Sequence, residues 1–399
     1  MTAAAATTGS GAEATGCVLG VDSGGSGLRV QLASPGGATT APVAAGTPVR
    51  TGPGGIDPAH LMELLVPMAE QLLAQAGADA LRAVAIGAAG MATLGDALRA
   101  ELPAMIEKHL GVRRLALAAD AVTAYVGALG QRPGAVVAAG TGLIALGTDL
   151  GAWRRADGWG HLLGDCGSGA WIGRAGLEAA LRAHDGRPGG SAALLARAEA
   201  VFGPAPGLPG ALYPRTDRAG VLASFAPEVA AAAIDPLPAA HPDGPGAPAA
   251  SSVRGVPGLP GASEVPGGSA DPVSADRAGA VDALATGDPV AAGILRAAAR
   301  HIAEAAAAVC PAGGPYEVAL TGGLLHIGEP LLGPLRRELA AQLPQARQVP
   351  AAGGPLDGAV RIALDLADDR LSLPVDGRML YVRPEPPAAS TPAAAEPSG

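Results

Sequence analysis

The stretch Gly20-Val21-Asp22-Ser23-Gly24-Gly25-Ser26-Gly27 decides the fold of this chain. It lies between two apolar runs, residues 18–21 and 28–33, and therefore predicts a β-hairpin with a glycine-rich turn. Glycine backbones approach an anion closely and small hydroxyls add donors, while Asp22 stands where a hydrated Mg²⁺ is needed. The same residues also fit an ordinary hairpin turn.

A second hairpin with a similar turn is predicted further along the chain. Apolar runs at residues 135–139 and 143–147 flank Gly140-Thr141-Gly142, which again offers backbone donors and one hydroxyl. Two such hairpins at similar places in two similar halves predict a cleft that grips a nucleotide from both sides. Facing hairpins of this kind are the architecture of actin, Hsp70 and the sugar kinases.

The order of elements before residue 130 is strand, strand, strand, helix, strand, helix, strand, helix, which predicts a mixed sheet flanked by helices. The expected elements after the hairpin are a strand at 40–45, a helix at 57–74, a strand at 83–87, a helix at 94–109, a strand at 115–118 and a helix from Asp120. We therefore expect the α/β class, and the similarity of the facing hairpins to those of actin and Hsp70 implies two ribonuclease-H-like domains of the actin-like ATPase type.

The predicted first domain covers residues 17–130 and is completed by a helix near 355–368, and the second covers 131–354. Three segments dominated by Ala, Gly, Pro, Ser and Thr lack periodic apolar residues and are predicted to be disordered: an N-terminal stretch, an insertion in the second domain and a tail. Their bounds are residues 1–16, 235–277 and 383–399.

Asp120 is the candidate general base of the sequence. It follows a buried strand and precedes a helix, a position that points its carboxylate into the predicted cleft. The chain has a single lysine and few histidines, so this carboxylate is the natural acceptor of a hydroxyl proton in phosphoryl transfer. The alternative interpretation is a simple helix N-cap.

Two further glycine-rich segments are candidates for ligand contact. Residues 157–169 surround Trp159 with glycines and predict a loop shaped around a polar ligand, in which Asp165 accepts hydrogen bonds from sugar hydroxyls and Trp159 packs on an apolar sugar face. His161 fits a structural donor as well as a ligand group. After the apolar run 318–320, Gly322 and Gly323 allow the backbone to lie flat against an adenine or ribose.

Composition excludes several classes of function. The net charge of −9 disfavours nucleic acid as a partner, and no run of apolar residues is long enough to span a membrane. The only lysine, Lys108, is not in a Gly-Lys-Ser/Thr context, so there is no Walker A loop. Three scattered cysteines and the absence of a signal-peptide pattern indicate a reducing, cytoplasmic location.

Taken in order, the segments D-S-G-G-S, A-D-A, A-G-T-G, G-W-G-H-L-L-G-D-x-G-S and L-T-G-G resemble the N-acetylglucosamine kinase branch of the BadF/BadG/BcrA/BcrD ATPase family. The resemblance implies ATP and Mg²⁺ as cofactors and phosphorylation of an amino sugar on its 6-hydroxyl. By position it implies a metal role for Asp22 and the base for Asp120. The remaining contacts that it implies are with the nucleotide, at Gly24, Gly25, Ser26, Gly140, Thr141, Gly142, Gly322 and Gly323, and with the sugar, at Gly158, Trp159, Gly160 and Asp165.

The chain departs from this branch at two sugar-contacting positions. The branch has an Asn just beyond the A-G-T-G turn, where this chain has Leu143 and Ile144. It has a second Asn in the early loop, where residues 51–55 of this chain contain no side-chain amide. N-acetylglucosamine is the first expected substrate, and glucosamine and N-acetylmuramate are alternatives. A non-catalytic sugar sensor on the same fold is also an alternative, and a homodimer is one possible assembly.

An electron-transfer activator, known elsewhere in the family, is disfavoured. Such proteins bridge an iron–sulfur cluster with cysteines, one of them beside the A-G-T-G turn. Here that turn is flanked by alanines and Leu143, with no cysteine nearby.

Overall fold

The computed structural model describes residues 16–24, 27–235, 287–314 and 316–384. The elements up to residue 129 are β1 (Cys17–Gly24), β2 (Gly27–Ala33), β3 (Val43–Ala44), β4 (Thr51–Gly52), β5 (Gly55–Ile56), α1 (Pro58–Ala76), β6 (Leu81–Ala88), α2 (Met91–Leu94), α3 (Asp96–Leu110), β7 (Leu115–Ala119) and α4 (Asp120–Leu129). The later elements are β8 (Gly134–Ala139), β9 (Leu143–Thr148), β10 (Trp153–Asp157), α5 (Gly169–His184), α6 (Ala192–Phe202), α7 (Leu208–Leu212), α8 (Arg218–Ser224), α9 (Ala226–Ile234), α10 (Pro289–Val309), β11 (Glu317–Thr321), α11 (Glu329–Gln342), β12 (Arg347–Pro350), α12 (Pro355–Ala367) and β13 (Leu380–Val382).

The first sheet has six strands in the order β13-β7-β6-β1-β2-β3. Strands β1, β6 and β7 are parallel, whereas β1 and β2 form the predicted antiparallel hairpin, so the sheet is mixed. The interior of β1 is buried, as its continuous apolar run predicts for a central strand. Gly20 allows α12 to pack closely, because a Cβ there would lie 2.5 Å from Val360 Cγ2.

The second sheet has five strands in the order β10-β9-β8-β11-β12. Strands β8 and β9 form the second predicted hairpin, and β11 runs parallel to β8. Helix α10 packs on this sheet at β8, β9 and β10, and α4 contacts β8, β9 and β11. Helices α5 and α9 pack against α10, and the buried faces of α5, α9 and α10 are rich in alanine. The predicted α/β class with two mixed sheets flanked by helices is therefore confirmed.

The chain crosses from the second sheet back to the first near its end. Helix α12, which was predicted near 355–368, packs against β1 and α4. Strand β13 then pairs antiparallel with β7 and forms the edge of the first sheet. The segment after residue 354 thus completes a sheet that begins at residue 17, while the exact domain boundaries remain a prediction.

Several element bounds differ from the predictions. The helix expected at 94–109 is divided by Gly95 into α2 and α3, and of the strand expected at 40–45 only Val43–Ala44 is paired. Strands β10, β12 and β13 were not predicted. Helix α1 begins as predicted, with the Asp57 carboxylate accepting hydrogen bonds from the Ala59 and His60 amides.

Most of the three segments predicted to be disordered, namely residues 1–15, 236–277 and 385–399, lie outside the described residues. Arg383, at the start of the predicted tail, is hydrogen-bonded to the first sheet, because its backbone N–H donates to Leu115 O at 2.9 Å. Within the part of the chain that the structure describes, none of the helices has the length and apolarity needed to cross a bilayer.

Candidate active site

A cleft of about 530 Å³ is lined by residues of both sheets and contains most of the predicted site residues. The predicted residues that line it are Asp22, Gly24, Asp120, Gly140, Gly142, Gly158, Gly160, Asp165 and Gly322. They come from the ends of both hairpins, the start of α4, the loop after β10 and the end of β11. The fold therefore brings together segments that are up to 300 residues apart in the sequence.

Of the other predicted residues, Gly25 and Ser26 lie outside the described residues, and Thr141, Trp159 and Gly323 are not among those lining the cleft. Thr141 is exposed at the tip of its turn, and Gly323 begins a short 3₁₀ helix beyond Gly322. Trp159 is 64% exposed, and the Arg155 guanidinium lies over its ring at 4.6 Å from the centroid.

The hairpin of the first sheet presents a buried acid held by an arginine. Asp22 is 4% exposed, and Arg29, its cross-strand partner on β2, donates from Nη2 at 2.5 Å and from Nε at 3.2 Å. Both bonds end on Oδ2 of Asp22. Among the described residues Oδ1 has no hydrogen-bond partner, and Asp22 lines the cleft, so one oxygen of this carboxylate is available to a ligand there.

The carboxylates of this cleft suit Mg²⁺ only when a phosphate supplies further oxygen ligands. Among the described residues no group of three or more His, Cys, Asp or Glu could hold a metal by itself. Mg²⁺ commonly keeps several waters and is bound by one or two carboxylates together with substrate phosphates. The free oxygen of Asp22 beside two glycine turns fits that mode.

Asp120 is the first residue of α4 and lines the cleft. Its Oδ1 accepts a hydrogen bond from the Ala121 N–H at 2.9 Å. The N-cap of α4 is Ala119 and no side chain caps the helix, so the interpretation of Asp120 as a simple N-cap is wrong. Burial raises the pKa of Asp120, and the nearby Asp22 charge adds to this, whereas the Ala121 amide and the Arg155 charge lower it. A carboxyl with a raised pKa in a cleft is a typical general base.

The glycines of the cleft have different surroundings. A Cβ added at Gly24 or Gly140 would meet no atom within 4 Å, so both leave open space in which a ligand can reach the backbone. Gly322 instead has φ +106°, and its Cβ would lie 2.2 Å from Ala139 O. It is required for the strand ends to pack, whatever it does for a nucleotide.

Two aspartates organise the loop after β10. Asp157, at φ +58°, accepts the amides of Asp165 at 2.6 Å and Cys166 at 2.8 Å, one on each carboxylate oxygen. These bonds close the loop by joining its two ends. Gly160 N–H donates to Asp165 Oδ1 at 3.0 Å, which fastens the middle of the loop as well.

Asp165 also joins this loop to the second glycine turn. It is 8% exposed, and a Cβ at Gly142 would lie 2.6 Å from its Oδ2. Burial raises the pKa of Asp165, the Gly160 and Leu143 amides lower it, and the Asp157 charge raises it further. The carboxylate predicted to accept sugar hydroxyls is thus already engaged by the protein and braces the turn.

Sequence reasoning missed two arginines in the cleft, Arg29 and Arg155, and residues 90–93 at the start of α2. Arg29 was accessible in principle, because a hairpin with this turn places it directly opposite Asp22. Arg155 carried no such signal. It belongs to a strand that the sequence did not reveal, and its partners are backbone carbonyls.

A family model described as the BadF/BadG/BcrA/BcrD ATPase family matches residues 19–235. A curated protein of Clostridium acetobutylicum named N-acetylmuramic acid/N-acetylglucosamine kinase is 36% identical over 106 residues. That match covers 26% of this chain and 34% of the relative, so the chain matches about a third of the relative's length.

Two crystal structures share the fold over most of this chain. One, from Chromobacterium violaceum, is provisionally named an N-acetylglucosamine kinase; it is 25% identical with a TM-score of 0.58 and covers 88% of this chain and 99% of its own. The other, from Porphyromonas gingivalis and provisionally given the same name, is 15% identical with a TM-score of 0.55 and covers the same shares.

Proposed function

Because this chain belongs to the BadF/BadG/BcrA/BcrD ATPase family, we propose that it is an ATP-dependent sugar kinase that phosphorylates the 6-hydroxyl of an amino sugar. The observation that carries the proposal is the cleft in which Asp120, a carboxyl with a raised pKa, lies together with two open glycine turns. In the proposed arrangement, the nucleotide phosphates bind on one side of Asp120 and the acceptor hydroxyl binds on the other.

In the proposed mechanism Asp120 accepts the proton of the sugar hydroxyl as its oxygen attacks the γ-phosphorus. A bond forms between this oxygen and phosphorus, the bond to the β-γ bridging oxygen breaks, and ADP leaves. When ATP and Mg²⁺ are bound, the backbone at Gly24 and Gly140 would hold the phosphates, and Asp22 would hold the metal, which would neutralise their charge. Arg29 stays next to Asp22 and adds positive charge to the same region.

The acceptor is proposed to lie on the loop containing Gly158, Gly160 and Asp165, beside Arg155. The names of the curated relative and of the Chromobacterium structure support N-acetylglucosamine as the first candidate. Leu143 and Ile144 line the cleft with apolar side chains, so contacts made by a neutral amide are absent there. N-acetylmuramate and glucosamine therefore remain part of the proposal as alternative substrates.

The test is ADP release from ATP and Mg²⁺ with N-acetylglucosamine, N-acetylmuramate, glucosamine, glucose or no sugar. Asp120→Asn is expected to lower kcat by about 10²- to 10⁴-fold, because it removes the proton acceptor. Its affinity for ATP, measured by calorimetry, should stay close to that of the wild type.

Asp96→Asn is the matched control, since Asp96 also begins a helix but its side chain is 98% exposed and does not line the cleft. Turnover by Asp120→Asn at the wild-type rate would refute the base. A wild-type protein that binds ATP and sugar without releasing ADP would instead support a sensor on this fold.

A further inference from the structure

Arg155 occupies an unusual position in the cleft. It lies on β10, and its Nε donates to Asp157 O at 3.0 Å while its Nη2 donates to Gly158 O at 2.6 Å. The same guanidinium covers the ring of Trp159. One side chain thus contacts three consecutive residues at the start of the loop.

The backbone that Arg155 holds is one that proteins avoid. Asp157 has φ +58° and Gly158 has φ +75°, so two successive residues lie in the left-handed region. Asp157 is not a glycine and adopts this conformation against its intrinsic preference. Such a conformation persists only where surrounding contacts impose it, and the two hydrogen bonds from Arg155 end on these two residues.

We propose that Arg155 is the positioning residue of the acceptor loop: its guanidinium fixes the Asp157–Gly158 turn, and with it the cleft-lining backbone at Gly158 and Gly160, in the orientation that receives the sugar. The inference rests on the proposed function in one respect, that the acceptor is a sugar bound on this loop. It assigns Arg155 no direct bond to the substrate.

An arginine is suited to this task in a way that a lysine is not. The guanidinium is planar, so two of its N–H groups reach neighbouring carbonyls while its face stacks on an indole. An ammonium group carries the same charge but cannot make both carbonyl bonds and the stacked contact from one plane. Arg155→Lys therefore separates the shape of the side chain from its charge.

The charges around Arg155 favour a positioning role over a structural ion pair. Among the described residues no carboxylate lies within ion-pair distance of Arg155, and its bonds go to carbonyl oxygens. The acids that line the same cleft are Asp22, Asp120 and Asp165. Asp22 forms an ion pair with Arg29, and Asp165 accepts a hydrogen bond from the Gly160 amide. The Arg155 charge lowers the pKa of the third acid, Asp120.

The experiment compares Arg155→Met and Arg155→Lys with Arg154→Met. Arg154 is the neighbouring residue on β10, is exposed and points to the opposite side of the strand, so it controls for loss of a positive charge. We expect kcat/KM for the sugar to fall about tenfold or more in both Arg155 variants, because neither methionine nor lysine can make both hydrogen bonds that hold the acceptor loop. The KM for ATP should change less than about threefold, and Arg154→Met should match the wild type.

Three kinetic results would overturn the proposal. Wild-type kinetics in Arg155→Lys would mean that only the charge matters. A loss confined to N-acetylmuramate, with N-acetylglucosamine unaffected, would make Arg155 a reader of the substrate's carboxylate. A rise in the KM for ATP alone would make it a phosphate contact.

Hydrogen–deuterium exchange tests the same role without turnover. The amides of Gly160, Asp165 and Cys166 are hydrogen-bonded within the loop, and a peptide covering residues 158–166 should exchange faster in both Arg155 variants than in the wild type or Arg154→Met. Unchanged exchange would refute the positioning role. Faster exchange in a protein that phosphorylates no sugar would retain the loop assignment and refute the proposed function, so the two failures are distinguishable.

Discussion

The two hairpins that line the cleft have the same topology but differ in charge. The tip of the first carries its own charges, since Asp22 and Arg29 face each other across the β1–β2 pair. The tip of the second is Gly140-Thr141-Gly142 between alanines and Leu143, with no charged side chain. Similar hairpins therefore need not contribute similarly, even where they line one site.

Neighbouring elements supply the second turn with hydrogen-bond donors and a carboxylate. The first amides of α5 donate to it, from Gly169 to Gly140 O at 2.9 Å and from Ala170 to Thr141 O at 3.1 Å. Asp165 supplies a carboxylate against Gly142. In the described part of the first turn, Gly24 has no such neighbour. The described part of the first tip is thus charged and unbraced at Gly24, whereas the second tip is uncharged, open at Gly140 and braced at Gly142.

The largest effect expected from this difference is at the braced turn. Gly142→Ala places a Cβ 2.6 Å from Asp165 Oδ2, and this carboxylate is buried and bonded to the Gly160 amide. Because it cannot move away freely, we expect a loss of about 2 kcal/mol in the free energy of unfolding, measured by urea denaturation.

Gly24→Ala is the control in the open turn, where a Cβ meets nothing within 4 Å, and should change stability by less than about 0.5 kcal/mol. Equal losses at Gly24 and Gly142 would show that the two turns are braced alike.

A smaller effect is expected from removing the charge pair of the first hairpin. Arg29→Met leaves Asp22 with an uncompensated charge, and the Asp22 side chain is only 6% exposed. Since Arg29 itself is 46% exposed, water screens part of the interaction, and we expect a loss of about 1 kcal/mol in the free energy of unfolding.

Arg215→Met is matched to this variant, because Arg215 is 47% exposed but its partner Asp217 is 60% exposed. It should have almost no effect on the denaturation midpoint. A loss as large as that of Arg29→Met would show that burial of the acid is not the cause.

The smallest effect, with the opposite sign, is expected at Asp120. The pKa of Asp120 is raised above 3.8 in the folded protein, chiefly by burial, so folding disfavours its ionised form. This cost is absent at pH values where the carboxyl is protonated in both states, and it appears as the pH rises through the folded pKa.

Asp120→Asn should therefore raise the Tm by about 1–3 °C at pH 8 and leave it nearly unchanged at about pH 3, below the ordinary pKa of an aspartate, as followed by calorimetry. The asparagine oxygen can still accept the Ala121 amide, so the helix start is preserved. A lower Tm at pH 8 would contradict a cost for the buried charge in this half of the cleft.

Local patterns predicted much of the fold and of the cleft. Both hairpins and the start of α1 at Asp57-Pro58 follow from apolar runs, glycine turns and a cap that act over a few residues. The same holds for Asp120, whose position between a buried strand and a helix sufficed to place it in the cleft. Such features are visible because the residues that cause them are neighbours in the sequence.

The features that were missed depend on contacts between distant residues. Strand β13 has three residues and exists only because β7 offers it an edge, across more than 250 residues of chain. Asp165 follows the pattern of a sugar ligand, but its engagement with Gly142 arises from the packing of the loop on the hairpin. Neither fact has a counterpart in a local sequence pattern.

The return of the chain to the first sheet has a consequence for biosynthesis. A ribosome that has translated residues 17–130 has supplied five of the six strands of that sheet but neither α12 nor β13. Until residue 367 emerges, the face of β1 against Val360 stays uncovered, and until residue 382 emerges, β7 remains an open edge. The half that is made first is therefore finished last, and a nascent chain must keep this sheet from associating with others while the rest is synthesised.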